Sequence, residues 1–175
     1  MKQDSIPFST VTLSPAEDIT AILQKFPEPG DVLLISSETS TPGGKGLNAA
    51  RWLASRGHAV VASGLLGVDN AAPFEDLMAR LGIRDFLVRI DGYSRRNAMF
   101  TAPGGMFKLN RVAFPDLREG EWSIDEILAP CMAHGGVCIL AGSLPPPMPD
   151  DTYALMIRKL REAGIPAVLD TSGKA

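Results

Sequence analysis

Cysteine and histidine are scarce in this chain of 175 residues, two of each: Cys131 and Cys138, His58 and His134. Neither pair has metal-ligand spacing, so no metal site is expected, and the two cysteines read as buried free thiols in a reducing compartment. Basic residues show no surplus. Seventeen Lys and Arg against 20 Asp and Glu leave a net charge of -3 with no cationic block, which argues against a nucleic-acid surface. Long apolar runs are missing too. No stretch approaches the ~20 residues of a membrane span, and the opening Met1-Lys-Gln-Asp-Ser5 lacks the apolar centre of a signal peptide. A cytoplasmic protein with neither nucleic-acid nor membrane partners is the expectation. What the chain does have is 45% hydrophobic residues, enough for the core of one domain.

Glycine is concentrated where it matters. In Thr41-Pro-Gly-Gly-Lys-Gly-Leu-Asn-Ala-Ala-Arg51, Gly43, Gly44 and Gly46 leave a loop almost without side-chain bulk. Leu47 to Arg56 reads as a helix with Ala49, Ala50, Leu53 and Ala54 as its buried stripe. A glycine loop entering a helix N-terminus offers free N–H groups and the positive end of the helix dipole to an anion or hydroxyl. The plainer reading is a tight turn whose glycines only permit strand-to-helix packing. Lys45 and Asn48 favour a ligand site, adding a mobile charge and a two-sided polar head. Leu47 after Gly46 excludes a nucleotide P-loop, and the spacing is not that of a dinucleotide fingerprint.

Along the chain, Val11 to Leu13 is a short strand. Ile19 to Phe26 and Asp31 to Ser37 are strand-like runs about the turn Pro27 to Gly30. Ala59 to Leu66 is a doubly buried strand and Ala72 to Leu81 an amphipathic helix. Phe86 to Ile90, Arg96 to Thr101 and Met106 to Asn110, separated by Asp91-Gly92 and Pro103-Gly-Gly105, read as antiparallel hairpins. Ser123-Ile-Asp-Glu126 is a capping box opening a helix to about His134. Val137 to Ala141 and Ala167 to Asp170 are strands flanking a helix that ends at Ala163, and the latter strand does not look built for an open edge. The alternation predicts an α/β fold, a mostly parallel sheet flanked by helices with a small antiparallel β lid formed by about 19–41 and 86–110.

Ligands of open α/β sheets sit beyond the carboxyl ends of the strands, which makes Asp18, Ser143 and Asp170 candidates. Taken singly, Asp18 is an ordinary turn or cap residue, Asp170 an N-cap, Ser143 part of a rigid proline loop, and Arg95 and Arg96 a solvated hairpin tip. Together the segments resemble the ribokinase-like (pfkB) carbohydrate kinases. The residues that carry the resemblance are Gly43-Gly44-Lys45-Gly46-x-Asn48-x-Ala50, Thr10 to Asp18, Gly64 to Asn70, Ser94-Arg-Arg-Asn97, Leu109-Asn110, Ala141 to Pro146 and Leu169 to Gly173. The opening segment is similar to the 1-phosphofructokinase and tagatose-6-phosphate kinase branch.

The resemblance implies a ribokinase-like fold, ATP and Mg2+ as cofactors, and a small sugar or sugar phosphate as substrate. Asp18, Gly43, Gly44, Lys45, Asn48 and Asn97 are implied at the sugar, Arg95 at a substrate phosphate and Ser143 in the same pocket. It also implies a lid over the site and a possible homodimer through that lid. Departures are Met99 where a lysine is expected, Ser14 for an asparagine, Pro147 for a glycine, and no proline-glycine turn after Asn110. The family's Gly-Ala-Gly-Asp motif is not found in these 175 residues. The expectation is therefore the N-terminal portion of a longer kinase, with no catalytic residue of its own, its ATP site elsewhere, and inactive alone. The alternatives are a non-catalytic sugar-phosphate-binding or regulatory domain and, fitting poorly, a nucleotide-binding Rossmann-like domain.

Overall fold

A computed structural model describes residues 6–114 and 117–172; Met1 to Ser5 and Gly173 lie outside them. Among the described residues, nine strands and four helices follow one another as β1 (Phe8–Thr12), β2 (Ala16–Leu23), β3 (Ile35–Gly43), α1 (Lys45–Ser55), β4 (Val60–Gly67), α2 (Ala72–Leu81), β5 (Arg84–Ile90), β6 (Arg95–Ala102), β7 (Gly105–Leu109), α3 (Ile124–His134), β8 (Val137–Ala141), α4 (Thr152–Glu162) and β9 (Ala167–Asp170). They form two sheets. The first is wholly parallel, in the order β5-β4-β1-β8-β9, and the second has the order β3-β2-β6-β7.

Alternation along the central strands sends side chains to two cores. Val11, Leu65 and Leu140 join Ile127, Leu128 and Cys131 of α3 and Tyr153, Met156 and Leu160 of α4. Val60, Ala62 and Leu66 join Leu47, Ala50 and Leu53 of α1 and Phe74 and Met78 of α2. A strand covered on both faces reads as an unbroken apolar run, and all eight residues of β4 are buried. Both cysteines are buried free thiols, as expected. Several element ends follow from local chemistry. Ser123 Oγ accepts from Glu126 N at 3.1 Å at the start of α3, and Gly82 closes α2 in the left-handed region at φ 66°.

Three expectations need correction. Phe86 to Ile90 is not part of the lid: it belongs to β5, which pairs in parallel with β4 at the edge of the first sheet. The lid is not purely antiparallel either, because β2 and β6 run parallel between the antiparallel pairs β2/β3 and β6/β7. Its first two strands are also displaced. β2 starts at Ala16, inside the Ser-Pro-Ala-Glu-Asp segment, and β3 runs from Ile35 into the glycine loop as far as Gly43. Val32 and Leu34 are instead 95% and 81% exposed in the connection between them. β9 lies at the other edge of the parallel sheet, with Val168 and Leu169 exposed.

The glycine loop enters α1 against the end of β1. A Cβ on Gly46 would collide with Thr12 Oγ1 and stand 2.7 Å from the Val11 carbonyl oxygen; one on Gly44 would stand 2.9 Å from Thr12 Cγ2. Since the Val11 carbonyl belongs to the sheet and cannot yield, Gly46→Ala has to push α1 outward. It is expected to destabilise the chain by about 1–3 kcal/mol, the cost of overpacking. A calorimetric melt measures this, and an unchanged midpoint refutes the close-packing role.

Candidate functional site

The site is built at the root of the lid, where β2, β3 and β6 leave the core. In register, Asp18 lies between Thr41 of β3 and Asn97 of β6, and Ala16 between Gly43 and Arg95. Asn97 Nδ2 donates to Asp18 Oδ1 at 2.8 Å. The other carboxylate oxygen faces Gly43, where a Cβ would lie 2.8 Å from Asp18 Oδ2 and 3.7 Å from Asn48 Oδ1. Any side chain at Gly43 would therefore displace the carboxylate. Five expected residues, Asp18, Gly43, Gly44, Asn48 and Asn97, thus gather about one point.

Two polar atoms beside that point have no partner among the described residues: Asn97 Oδ1 and Arg95 Nε, both buried. Burial holds the Arg95 guanidinium below its ordinary value, and the nearby Asp18 charge offsets this only in part. Arg95 also lines an open cavity of about 740 Å³ with Tyr93, Ser94, Arg96, Asn110, Arg111 and Val112.

Lys45 stands at the far side of the loop. Its Nζ is 3.0 Å from Asp170 Oδ1 at the carboxyl end of β9, an exposed ion pair. Asp170 is held in turn through Gly142 N, which donates to its carbonyl at 2.9 Å, while Tyr153 and Thr171 both donate to the Gly142 carbonyl at 3.0 Å. Desolvation raises the Tyr153 phenol above its ordinary value, so it remains a donor. Ser143 follows Gly142, half-buried. No described contact joins it to Asp18. The expected residues therefore fall into two groups, bridged by the loop Gly43 to Lys45.

The described residues contain no group of three or more His, Cys, Asp and Glu able to hold a metal, and the inner side of the loop is packed on Thr12 and Pro15.

Sequence reasoning missed Glu17, Asn70 and Arg111. Glu17 is 8% exposed on the lid face opposite Asp18. Its carboxylate accepts from Ser40 Oγ at 2.8 Å, Arg96 Nε at 2.7 Å and Asn70 Nδ2 at 3.1 Å. An acid adjoining Asp18 in Ala-Glu-Asp was the available signal. Arg111 was concealed by the loss of the turn expected after Asn110.

The chain was compared with known proteins. The family pattern described as pfkB family carbohydrate kinase matches residues 13–175. A 1-phosphofructokinase from Xanthomonas campestris pv. campestris is 38% identical over 94% of this chain and 52% of that protein. A tagatose-6-phosphate kinase from Staphylococcus epidermidis is 32% identical over 95% and 53%. Phosphofructokinase-2 from Escherichia coli, solved in complex with fructose-6-phosphate, superposes with a TM-score of 0.84 at 23% identity, over 96% of this chain and 55% of that one. The chain spans about half the length of the curated relatives it matches.

Burial raises the Glu17 carboxyl, but the hydrogen bonds from Ser40, Arg96 and Asn70, with the Arg96 charge, outweigh it and leave the group below its ordinary 4.5. A lowered folded value contributes stability that is fully present above the unfolded value and lost as pH falls through the folded one. Melts from pH 7 to 2 are expected to show wild type losing stability relative to Glu17→Gln only below pH 4.5. Parallel curves would show that the carboxylate carries no such linkage.

Proposed function

The chain belongs to the pfkB family of carbohydrate kinases, and on that premise we propose that it forms the acceptor side of an ATP-dependent sugar-phosphate kinase. The substrate class is a hexose monophosphate of the fructose 1-phosphate or fructose 6-phosphate kind. The observation that carries this reading is the pair of buried, unpartnered atoms Arg95 Nε and Asn97 Oδ1 flanking Asp18. A buried polar group left unsatisfied costs about 1–3 kcal/mol. A phosphate oxygen accepting from Arg95 and a sugar hydroxyl donating to Asn97 would satisfy both.

In this reading Asp18 and Asn48 take sugar hydroxyls, and Gly43 and Gly44 let the ring approach the backbone. Arg111, exposed and lining the same cavity as Arg95, supplies the second guanidinium. A planar guanidinium suits the bidentate recognition of phosphate, so the cavity does not depend on a cation at Met99. Lys45 is paired, but an exposed pair is worth only ~0–1 kcal/mol, so its exchange from Asp170 to a ligand oxygen is inexpensive. Ser143 closes the same end.

Phosphoryl transfer depends on in-line positioning and on charge stabilisation. ATP with Mg2+ supplies the phosphoryl group when bound. The residues of this chain hold and orient the acceptor hydroxyl, and the lid keeps water from it. The lid also leaves Ile22, Phe26, Ile35, Met106 and Leu109 exposed, and we place a second copy of the chain against it. No described helix is long and apolar enough to cross a membrane, and a cytoplasmic site of action belongs to the same proposal.

Titration calorimetry of the chain with fructose 1-phosphate, fructose 6-phosphate and fructose tests the assignment. The phosphorylated sugars are expected to bind more tightly. Arg95→Ala is expected to remove about 1.5–3 kcal/mol, the range for hydrogen bonds to charged groups, and Arg111→Ala a smaller part. Equal affinity for free and phosphorylated sugar overturns the phosphate site.

A further inference from the structure

Glu17 is the most deeply buried carboxylate described, and nothing in the acceptor reading uses it. Backbone alternation turns it away from the sugar: the row Thr41–Asp18–Asn97 faces the glycine loop, and the adjoining row Pro42–Glu17–Arg96 faces the other way. Its three partners come from three different segments. Ser40 belongs to β3 shortly before that strand enters the glycine loop, Arg96 to the start of β6, and Asn70 to the single 3-10 turn that follows β4 in the core.

Asn70 extends the connection. It accepts from Ser94 N at 2.9 Å and donates to the Ser94 carbonyl at 3.2 Å, while Ser94 Oγ accepts from Gly67 N at 2.9 Å. Glu17, Asn70 and Ser94 are all buried. Arg96 also lies over the Tyr93 ring, 5.3 Å from its centroid. The chain passes between core and lid through 13–16, 43–45, 91–94 and the stretch after Leu109; the network joins Glu17, Ser40 and Ser94, which stand at or next to the first three of these.

Glu17 does not line the cavity beside Arg95, although Ser94 and Arg96 of the same network do, and it holds the strands whose next residues face the proposed site. Asp18 follows Glu17 directly, and Arg95 and Asn97 flank Arg96. We propose that Glu17 is a positioning residue whose buried carboxylate pins the lid strands β2, β3 and β6 at their core ends, and so sets where Asp18, Arg95 and Asn97 stand over the glycine loop. This rests on the reading of that loop as a sugar-phosphate site.

The test compares the chain with its Glu17→Gln and Glu17→Ala variants by amide hydrogen exchange, and by titration with fructose 6-phosphate. Glutamine keeps one acceptor but turns an N–H₂ toward a donor, so it loosens the network with little change of shape. The expected result is faster exchange confined to β2, β3 and β6, unchanged exchange in β1, β4 and β8, and affinity lower by roughly 2- to 30-fold. Exchange and affinity equal to wild type in both variants overturn the proposal. So does exchange that rises equally in core and lid of the glutamine variant, because the carboxylate would then serve general stability. Wild type that binds no fructose 6-phosphate overturns the acceptor-site reading instead, and the exchange pattern still decides the hinge.

Discussion

The site depends on how closely helix α1 approaches strand β1. Without side chains at Gly44 and Gly46 the helix start rests directly on Thr12 and on the backbone of Val11. This contact places the loop between a rigid core strand and the first turn of a helix, so its backbone is held by covalent neighbours on both sides. Everything that could bind a sugar is measured from there: Asp18 by its carboxylate against Gly43, Asn48 by its place on the first helical turn, and Lys45 by its reach to Asp170. Glycine here serves close packing, and the proposed ligand access asks for the same lack of bulk, so the two readings of the cluster are not rivals.

A second constraint is the two-residue period of the lid strands. It allows one stretch of β2 to carry two carboxylates with opposite environments. Asp18 is half-buried, with one oxygen held by Asn97 and the other facing Gly43, whereas Glu17 is enclosed by three donors. The same separation holds on β6, where Arg96 is ion-paired with Glu17 and Arg95 feels the Asp18 charge without an ion pair among the described residues. Adjacent like residues are thereby divided into one that is ion-paired within the lid and one that has no ion pair among the described residues.

Much of this was legible in the sequence. Helix α2, strand β8 and strand β9 lie where periodicity and their bounding glycines put them, because their signals are local. The central glycine loop, Asp18, Asn97 and Arg95 were readable as a set only through the family resemblance. What failed was pairing. Phe86 to Ile90 has the composition of a strand beside a hairpin turn, but its partner is β4, and local chemistry does not name a partner. β3 was misplaced because its Ser-Ser-Glu-Thr-Ser-Thr run is exposed and shows no apolar alternation, while Val32 and Leu34 in the connection before it do look like strand residues. Arg111 and Glu17 were missed since each gains its meaning from a neighbour far along the chain.

The parallel pairing of β2 with β6 has a consequence for how the molecule comes into being. Glu17 meets Arg96, and Asp18 meets Asn97, across 79 residues of intervening chain. Contacts of such separation return nothing until the loop between them has been closed, and topologies rich in them fold slowly. The intervening chain contains α1, β4, α2 and β5, which build much of the core on their own. The lid root is therefore expected to assemble after those local elements, as is the β1/β8 pairing, which spans more chain still, so a folding state that has packed α1 to β5 still lacks the paired strands around Asp18.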